Sequence, residues 1–359
     1  SRNIVKNVKS VVVPNTGGMR GLEAAAAIGI VAGDADGQLQ VLAQVTKEQI
    51  LETKEYMKTA ELHVVPAKSD YIFDICIHVY KGEDSAEARI VDFHTNVVMI
   101  RKNEDYILNK EITGRTESSM ADKSLLTVKD IIEFADTVDI ADVKDVLDRQ
   151  ISYNMDIAKE GMTNSYGANI GKVLMHIYGG VDVKTRAKAF AAAGSDARMN
   201  GCELPVVINS GSGNQGITSS VPVIIYAQEL GVSQDALYRA LVVSNLCTLH
   251  IKEGIGRLSA YCGAVGAGCG AGAGIAYLHG GRLEEISHTL VNGLAIISGT
   301  ICDGAKASCA AKIAAAVDAG ILGYYMYKDG QQFRCGDGIV KGDVEKTIRS
   351  VGLLASEGM

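Results

Sequence analysis

Three of the eight cysteines in this 359-residue chain stand where metal chemistry is conceivable. Cys262 precedes the glycine-rich run GAVGAGCGAGAG (Gly263–Gly274), Cys302 opens the segment CDGAKASCAAK, and Cys309 follows seven residues later. An iron–sulfur cluster takes thiolates, because soft sulfur suits iron and anionic ligands balance the cluster charge. Placed on one helix, Cys302 and Cys309 would lie two turns apart on a shared face, with a bend at Asp303-Gly304 letting both reach one cluster. The same three residues also read as small buried apolar side chains, the usual state of a free thiol in a reducing compartment. The chain has no CxxC pair, so spacing leaves both readings open.

Other segments carry groups that could bind or move charge. SGSGNQG (Ser210–Gly216) offers the hydroxyls of Ser210 and Ser212, the amides of Asn214 and Gln215 and a flexible backbone just before an expected helix from Ile217. Its N–H groups suit a carboxylate, and a capping loop without a ligand would read the same way. The turn Thr16-Gly17-Gly18 is a similar, smaller feature. His94, Thr95 and Asn96 interrupt a strand-like apolar pattern, which marks either a β-bulge or a site. Lys252, Arg257 and Lys306 lie in apolar helical surroundings, where a cation needs an anion; a bound carboxylate or an ordinary partner such as Glu253 or Asp303 would serve. Asp337, in the GDG turn, reads as a turn residue.

The elements that must position these groups fall into two kinds. Ile4–Val13 has strand composition and ends in the turn PNTGGMRG, followed by an alanine-rich helix over Leu22–Ala32; Lys47–Ala60 has the spacing of a surface helix. YIFDICIHVY (Tyr71–Tyr80), ARIVDFHTNVVMIRK (Ala88–Lys102) and EDYILNK (Glu104–Lys110) alternate as an antiparallel meander of three or four strands. With Thr127 as N-cap, helices follow over Val128–Thr137 and Ile140–Lys159, then about eight more, several apolar on every face, such as Leu258–Leu278 and Thr289–Ile301. The fold class is therefore α+β: a large all-helical domain over 116–359, a small β-meander domain over 36–115 inserted near the N-terminus, and a segment over 1–35 packed on one or the other.

Taken in order, SRNIVKNVKSVVVPNTGGMRG, VDFHTNVV, SGSGNQG, IGRLSAYCGAVGAG, CDGAKASC and GDGIVKGDVEKTIRSVG resemble the L-cysteine desulfidase family, related to the α domain of bacterial iron–sulfur L-serine dehydratases. The resemblance spans nearly the whole chain. It implies an oxygen-sensitive 4Fe–4S cluster held by Cys262, Cys302 and Cys309, with one iron open to substrate, and no pyridoxal phosphate. It further implies substrate contacts in the SGSGNQG segment, Asn214 and Gln215 with Ser210 and Ser212, and a substrate-contact or proton-carrying role for His94 with Thr95 and Asn96 beside it; Thr16, Gly17 and Arg257 as substrate contacts and Lys306 as a proton carrier are candidates read from the residues themselves. The position before His94, a serine in the more distant dehydratase motif, is Phe93 here. The reaction implied is β-elimination from L-cysteine, giving pyruvate, ammonia and sulfide, with L-serine dehydration as the alternative. The family's N-terminal CTEP motif has no counterpart in these residues; the expectation is an upstream segment preceding Ser1, the alternative a non-catalytic fragment or subunit.

Bulk properties narrow the class further. A net charge of -7, a pI of about 5.6 and scattered basic residues provide no surface for a nucleic-acid backbone. Hydrophobic residues make up 47% and charged ones 21%, with no uninterrupted apolar run of membrane-spanning length, so no membrane partner is expected. Eight cysteines without a secretory leader point to a cytoplasmic, reducing setting and an anaerobe's amino-acid catabolism rather than to disulfides. Forty glycines with four prolines and no tryptophan suit close-packed helices, and the apolar helices suit a homo-oligomer.

Overall fold

The computed structural model describes residues 8–9, 11–71, 73–112, 122, 125–256 and 259–358. It divides into two compact units, one comprising Ser1–Asp122 with Asp303–Ala305, the other Lys123–Cys302 with Lys306–Met359. The architecture is α+β, as the patterning predicts.

In the smaller unit the turn before helix α1 (Gly21–Ala32) is built on left-handed residues, Asn15 at φ 55°, Gly17 at 64° and Gly18 at 96°. Thr16 closes it, donating its hydroxyl to the Val13 carbonyl at 2.6 Å and accepting from the Met19 N–H at 3.1 Å. Helix α2 (Lys47–Thr59) starts in a capping box: Thr46 Oγ accepts from the Gln49 N–H, and the Gln49 side chain returns to the Thr46 N–H. Val13, Ala24 and Ile28 form a small core with Met19, Leu42 and Met57.

The sheet is a simple meander, β1 (Asp74–Lys81), β2 (Asp84–Val91), β3 (Val97–Lys102) and β4 (Asp105–Asn109), antiparallel in that order. The segment Ala88–Lys102, whose alternation reads as one run, is two strands with a tight connection between. Asp92 is left-handed at φ 64°, and the Asn96 amide donates to the Val91 carbonyl at 2.9 Å. The polar triplet therefore turns the chain, rather than bulging a strand. The strand expected over Ile4–Val13 lies partly outside the described residues; Val12 makes only an isolated bridge to Arg20.

The larger unit is helical: α3 (Val128–Thr137), α4 (Ile140–Thr163), α5 (Ile170–Tyr178), α6 (Val183–Met199), α7 (Gly213–Leu230), α8 (Gln234–Ile255), α9 (Gly263–Leu278), α10 (Leu283–Ile297), α11 (Ser308–Lys328) and α12 (Val344–Glu357). Thr127, Asp139, Asp182, Ser233 and Asp343 cap their helices with side-chain oxygens. Helix α9 is buried along its length from Ala264 to Tyr277. Its glycines allow α11 to approach: a Cβ on Gly268 would lie 2.4 Å from the Ala316 carbonyl carbon, and one on Gly320 2.1 Å from the Gly268 oxygen. Three boundaries differ from the apolar pattern: α9 starts at Gly263 where the pattern begins at Leu258, and α10 runs Leu283–Ile297 where the pattern gives Thr289–Ile301; Tyr261 and Ile301 pair in a bridge instead. Among the described residues, no helix is long and apolar enough to cross a membrane.

Candidate functional site

Tyr261 and Ile301 form an isolated antiparallel bridge. The Cys262 N–H donates to the Thr300 carbonyl at 3.0 Å, and the Cys302 N–H to the Ala260 carbonyl at 2.6 Å. Because residues flanking a bridge point to its opposite face, Cys262 and Cys302 share that face, and interaction with Cys302 is the largest influence raising the Cys262 thiol. This corrects the helical expectation for Cys302, which lies in extended chain; Gly304 at φ 110° cannot belong to a helix. Cys309 alone sits on α11, in its first turn, its N–H donating to the Lys306 carbonyl at 2.9 Å. Lys312, one turn on, donates to the Ile301 carbonyl at 2.9 Å and ties α11 to the bridge.

The electrostatics gather the third sulfur with the other two. Interaction with Cys302 and burial push the Cys262 thiol far above its usual range, and the nearby Cys302 and Cys309 sulfurs add to this. Three thiols so close resist ionising together unless a cation joins them. The remaining cysteines differ. Cys247 and Cys269 are fully buried, burial alone pushing Cys269 up to about 12, and a Cβ on Gly293 would come within 3.0 Å of the Cys269 sulfur. That is core packing.

Against the thiols lies the start of α7. Ser210 at φ 51° and Gly211 at φ 77° make the turn, closed by reciprocal backbone bonds between Asn209 and Ser212 at 3.1 and 3.0 Å. The Ser210 hydroxyl is used within it, donating to Asn209 Oδ1 at 2.7 Å. Gly216 is obligatory, since a Cβ there would lie 1.9 Å from the Val207 oxygen. Gln215 is buried with Oε1 unpaired among the described residues. Its amide lies flat on the first residue of α9, where a Cβ on Gly263 would meet it at 2.6–2.7 Å; Gln215 thus neighbours Cys262.

Two features escaped the sequence reading. Arg198, on α6, donates to Asn214 Oδ1 at 3.4 Å. Burial draws its ionisation down from the usual arginine range while the neighbouring Cys309 opposes that shift, so a desolvated cation stands beside both the sulfurs and the α7 terminus. Beneath the turn, Asn209 Nδ2, Gln150 Nε2 and Ser219 Oγ all donate to Asn245 Oδ1, at 2.8, 2.9 and 3.1 Å, and the Val207 N–H donates to Asn154 Oδ1 at 2.9 Å. This polar network holds the turn rigid. Nothing in the spacing of Arg198 or Asn245 sets them apart from other helical polar residues.

The remaining expected residues are placed as follows. Lys306 precedes α11 in the turn bonded to Cys309. Thr16, Gly17, His94, Thr95 and Asn96 belong to the smaller unit: Thr16 and Asn96 are engaged in their own turns, and the His94 ring packs on Phe73 with centroids 4.7 Å apart. Arg257 lies outside the described residues.

The donor set fits an iron–sulfur cluster. Three neighbouring thiols, a cation that would offset an anionic centre, and an orphaned buried amide oxygen are what a charged group with a bound amino acid would require. The helical unit with its thiol centre defines a class, and the sequence model described as "Serine dehydratase alpha chain" matches residues 36–359; the chain belongs to that family, whose description indicates a lyase. Along its full length it is also similar to "UPF0597" proteins. One from Desulfitobacterium hafniense is 59% identical over 359 residues, covering 100% of this chain and 83% of that protein. Others come from Lachnoclostridium phytofermentans, 51% identical with 86% of that protein covered, and Treponema denticola, 45% identical with 84% covered.

Proposed function

We propose that this chain is an iron–sulfur β-elimination lyase that converts L-cysteine and water to pyruvate, ammonia and sulfide without pyridoxal phosphate. The observation that supports the reading is the bridge that sets Cys262 and Cys302 on a shared face, with Cys309 near enough to help raise the Cys262 thiol. These three residues would hold the cluster. When bound, it supplies Lewis acidity at an iron the protein leaves free.

The chain's own residues do the rest. Substrate carboxylate is drawn to the start of α7, where the helix terminus and Arg198 both favour an anion. Gln215 Oε1 accepts from the substrate ammonium, and Asn214 is held in place by Arg198. The buried walls of α7 and α9 exclude water from the reacting carbon. Loss of the α-proton and of hydrosulfide from Cβ leaves an enamine, whose imine tautomer hydrolyses to pyruvate and ammonia. His94 and Lys306 are the proposed proton carriers; His94, Thr95 and Asn96 rest on the family resemblance, and Thr16, Gly17 and Arg257 on residue type and setting.

L-Serine dehydration is the second reading, favoured by the description of the matching family; hydroxyl and thiol leaving groups differ by one atom. Anaerobic reconstitution with iron and labile-sulfide analysis, followed by sulfide and pyruvate assays on both amino acids, tests the proposal. The expected result is a brown protein releasing sulfide from L-cysteine and losing both colour and activity in Cys302→Ala. Absence of bound iron in the reconstituted native chain overturns the cluster assignment, and pyruvate from serine alone overturns the substrate. Arg198→Met is expected to lower kcat/KM by about 30-fold, the loss of one charge-assisted hydrogen bond of about 2 kcal/mol, with Arg198→Lys partly restoring it.

A further inference from the structure

The sheet of the smaller unit carries a second group of metal-ligand residues, none of them among the cysteines above. In the β1–β2 register His78 faces Glu87 and Cys76 faces Arg89, so Cys76, His78 and Glu87 stand on one face of the sheet. Cys76 Sγ lies 3.4 Å from His78 Nε2 and 3.2 Å from Glu87 Oε1, and His78 Nε2 lies 3.3 Å from that same oxygen. One thiol, one imidazole and one carboxylate oxygen thus form a nearly equilateral triangle.

We propose that Cys76, His78 and Glu87 bind a divalent metal ion of the zinc class, with a fourth position open to water or a small anion. Three features of the sheet carry this. Zn–S bonds of about 2.3 Å and Zn–N or Zn–O bonds of about 2.0–2.1 Å at tetrahedral angles require donor separations of about 3.3–3.6 Å, and the triangle already has these edges to within about 0.3 Å. The mixed sulfur, nitrogen and oxygen set suits zinc rather than the all-oxygen preference of magnesium or calcium. The carboxylate is also oriented from behind: Arg101 Nη2 bonds Glu87 Oε2 at 2.6 Å and leaves Oε1 for the metal, the outer-shell support that metal ligands characteristically have.

The local charge favours a cation. Arg89, opposite Cys76, is neutralised by Asp74 through bonds of 3.0 and 2.8 Å, and Arg101 is engaged by Glu87. With Arg101 paired to Glu87, the Cys76 thiolate leaves one net negative charge, and a small anion in the fourth position completes the balance of a divalent ion. In the metal-free sheet the Cys76 proton bridges to Glu87 Oε1; a metal takes that proton's place. The His78 side chain is 44% exposed and Cys76 is exposed, so an ion enters from solvent without opening the sheet.

The test uses the full chain carrying Cys302→Ala, so that thiolate signals from the other cysteines are reduced, stripped of metal under anaerobic conditions and titrated with Co2+ and then Zn2+. The expected result is one equivalent of Co2+ with a sulfur-to-metal charge-transfer band, displaced by one equivalent of Zn2+. Cys76→Ser abolishes the band, and His78→Gln weakens binding at least tenfold. Arg101→Gln weakens it by about 10–100-fold, as loss of an outer-shell partner does. All three positions are on the solvent face of the sheet, and circular dichroism confirms that the variants stay folded. Unchanged stoichiometry and an unchanged thiolate–cobalt band in folded Cys76→Ser overturn the site, as does the absence of any such band before that substitution.

Discussion

Gln215 is buried with its amide oxygen unpaired among the described residues. An unpaired buried amide oxygen costs about 1–3 kcal/mol, and a polar ligand recovers that cost. Gln215→Leu, similar in volume, is therefore expected to leave stability unchanged or raise it by about 1 kcal/mol while raising KM for the amino acid about tenfold; chemical denaturation and steady-state assays read the two separately. Asp196 gives a pH signature of its own. Burial pushes its carboxyl up to about 6, although it accepts the Ile170 N–H at 2.6 Å. Between the ordinary carboxylate value of about 3.9 and the folded value, the folded chain holds a proton that the unfolded chain has released. This group's contribution is present at low pH and is lost as pH rises through about 6. Urea midpoints measured across that window are expected to show the component in the native chain and lack it in Asp196→Asn. At this scale residue type singles out the thiols and the SGSGNQG amides as candidates, and the family resemblance, not their spacing, groups them. Arg198 was not legible, because a desolvated cation is defined by neighbours contributed from α7 and α11.

Between helices, the close approach of α9 and α11 sets the sharpest constraint. Gly320→Ala drives a Cβ into the Gly268 oxygen, and the expected cost is about 2–3 kcal/mol from overpacking. Gly29, inside α1, has open space around its missing Cβ; Gly29→Ala is expected to stabilise the smaller unit by about 0.5–1 kcal/mol through helix propensity. Thermal melts of the two variants, moving in opposite directions, check the pair. Elements with local signals were legible: Thr127 caps α3 where the sequence puts its start, and the runs Tyr71–Tyr80 and Glu104–Lys110 overlap β1 and β4. The cysteine-bearing segments were not. An isolated bridge between residues forty positions apart has no periodicity of its own, so Leu258–Ala260 reads as more of α9 and Cys302 as the start of α11. Apolar composition hides the break, and only the left-handed Gly304 hints at it.

For the whole molecule, the hydrophobic period changes from two to three and four along the chain, which separates the strands from the helices that follow. The glycine and alanine content likewise signalled a densely packed helical centre, which α9 supplies. What totals cannot convey is which distant segments meet, and the thiol centre depends on such meetings. The bridge between Tyr261 and Ile301 carries a consequence for handling and for survival in air. It holds Cys262 and Cys302 on one face by backbone bonds alone, with no need of a cofactor. Once oxygen has stripped any cluster, the same pairing presents two thiols ready to be oxidised into a crosslink. Peptide mapping under non-reducing conditions is expected to find Cys262 joined to Cys302 in aerated protein, while buried Cys247 and Cys269 stay reduced. A reductant would then be expected to restore both thiols.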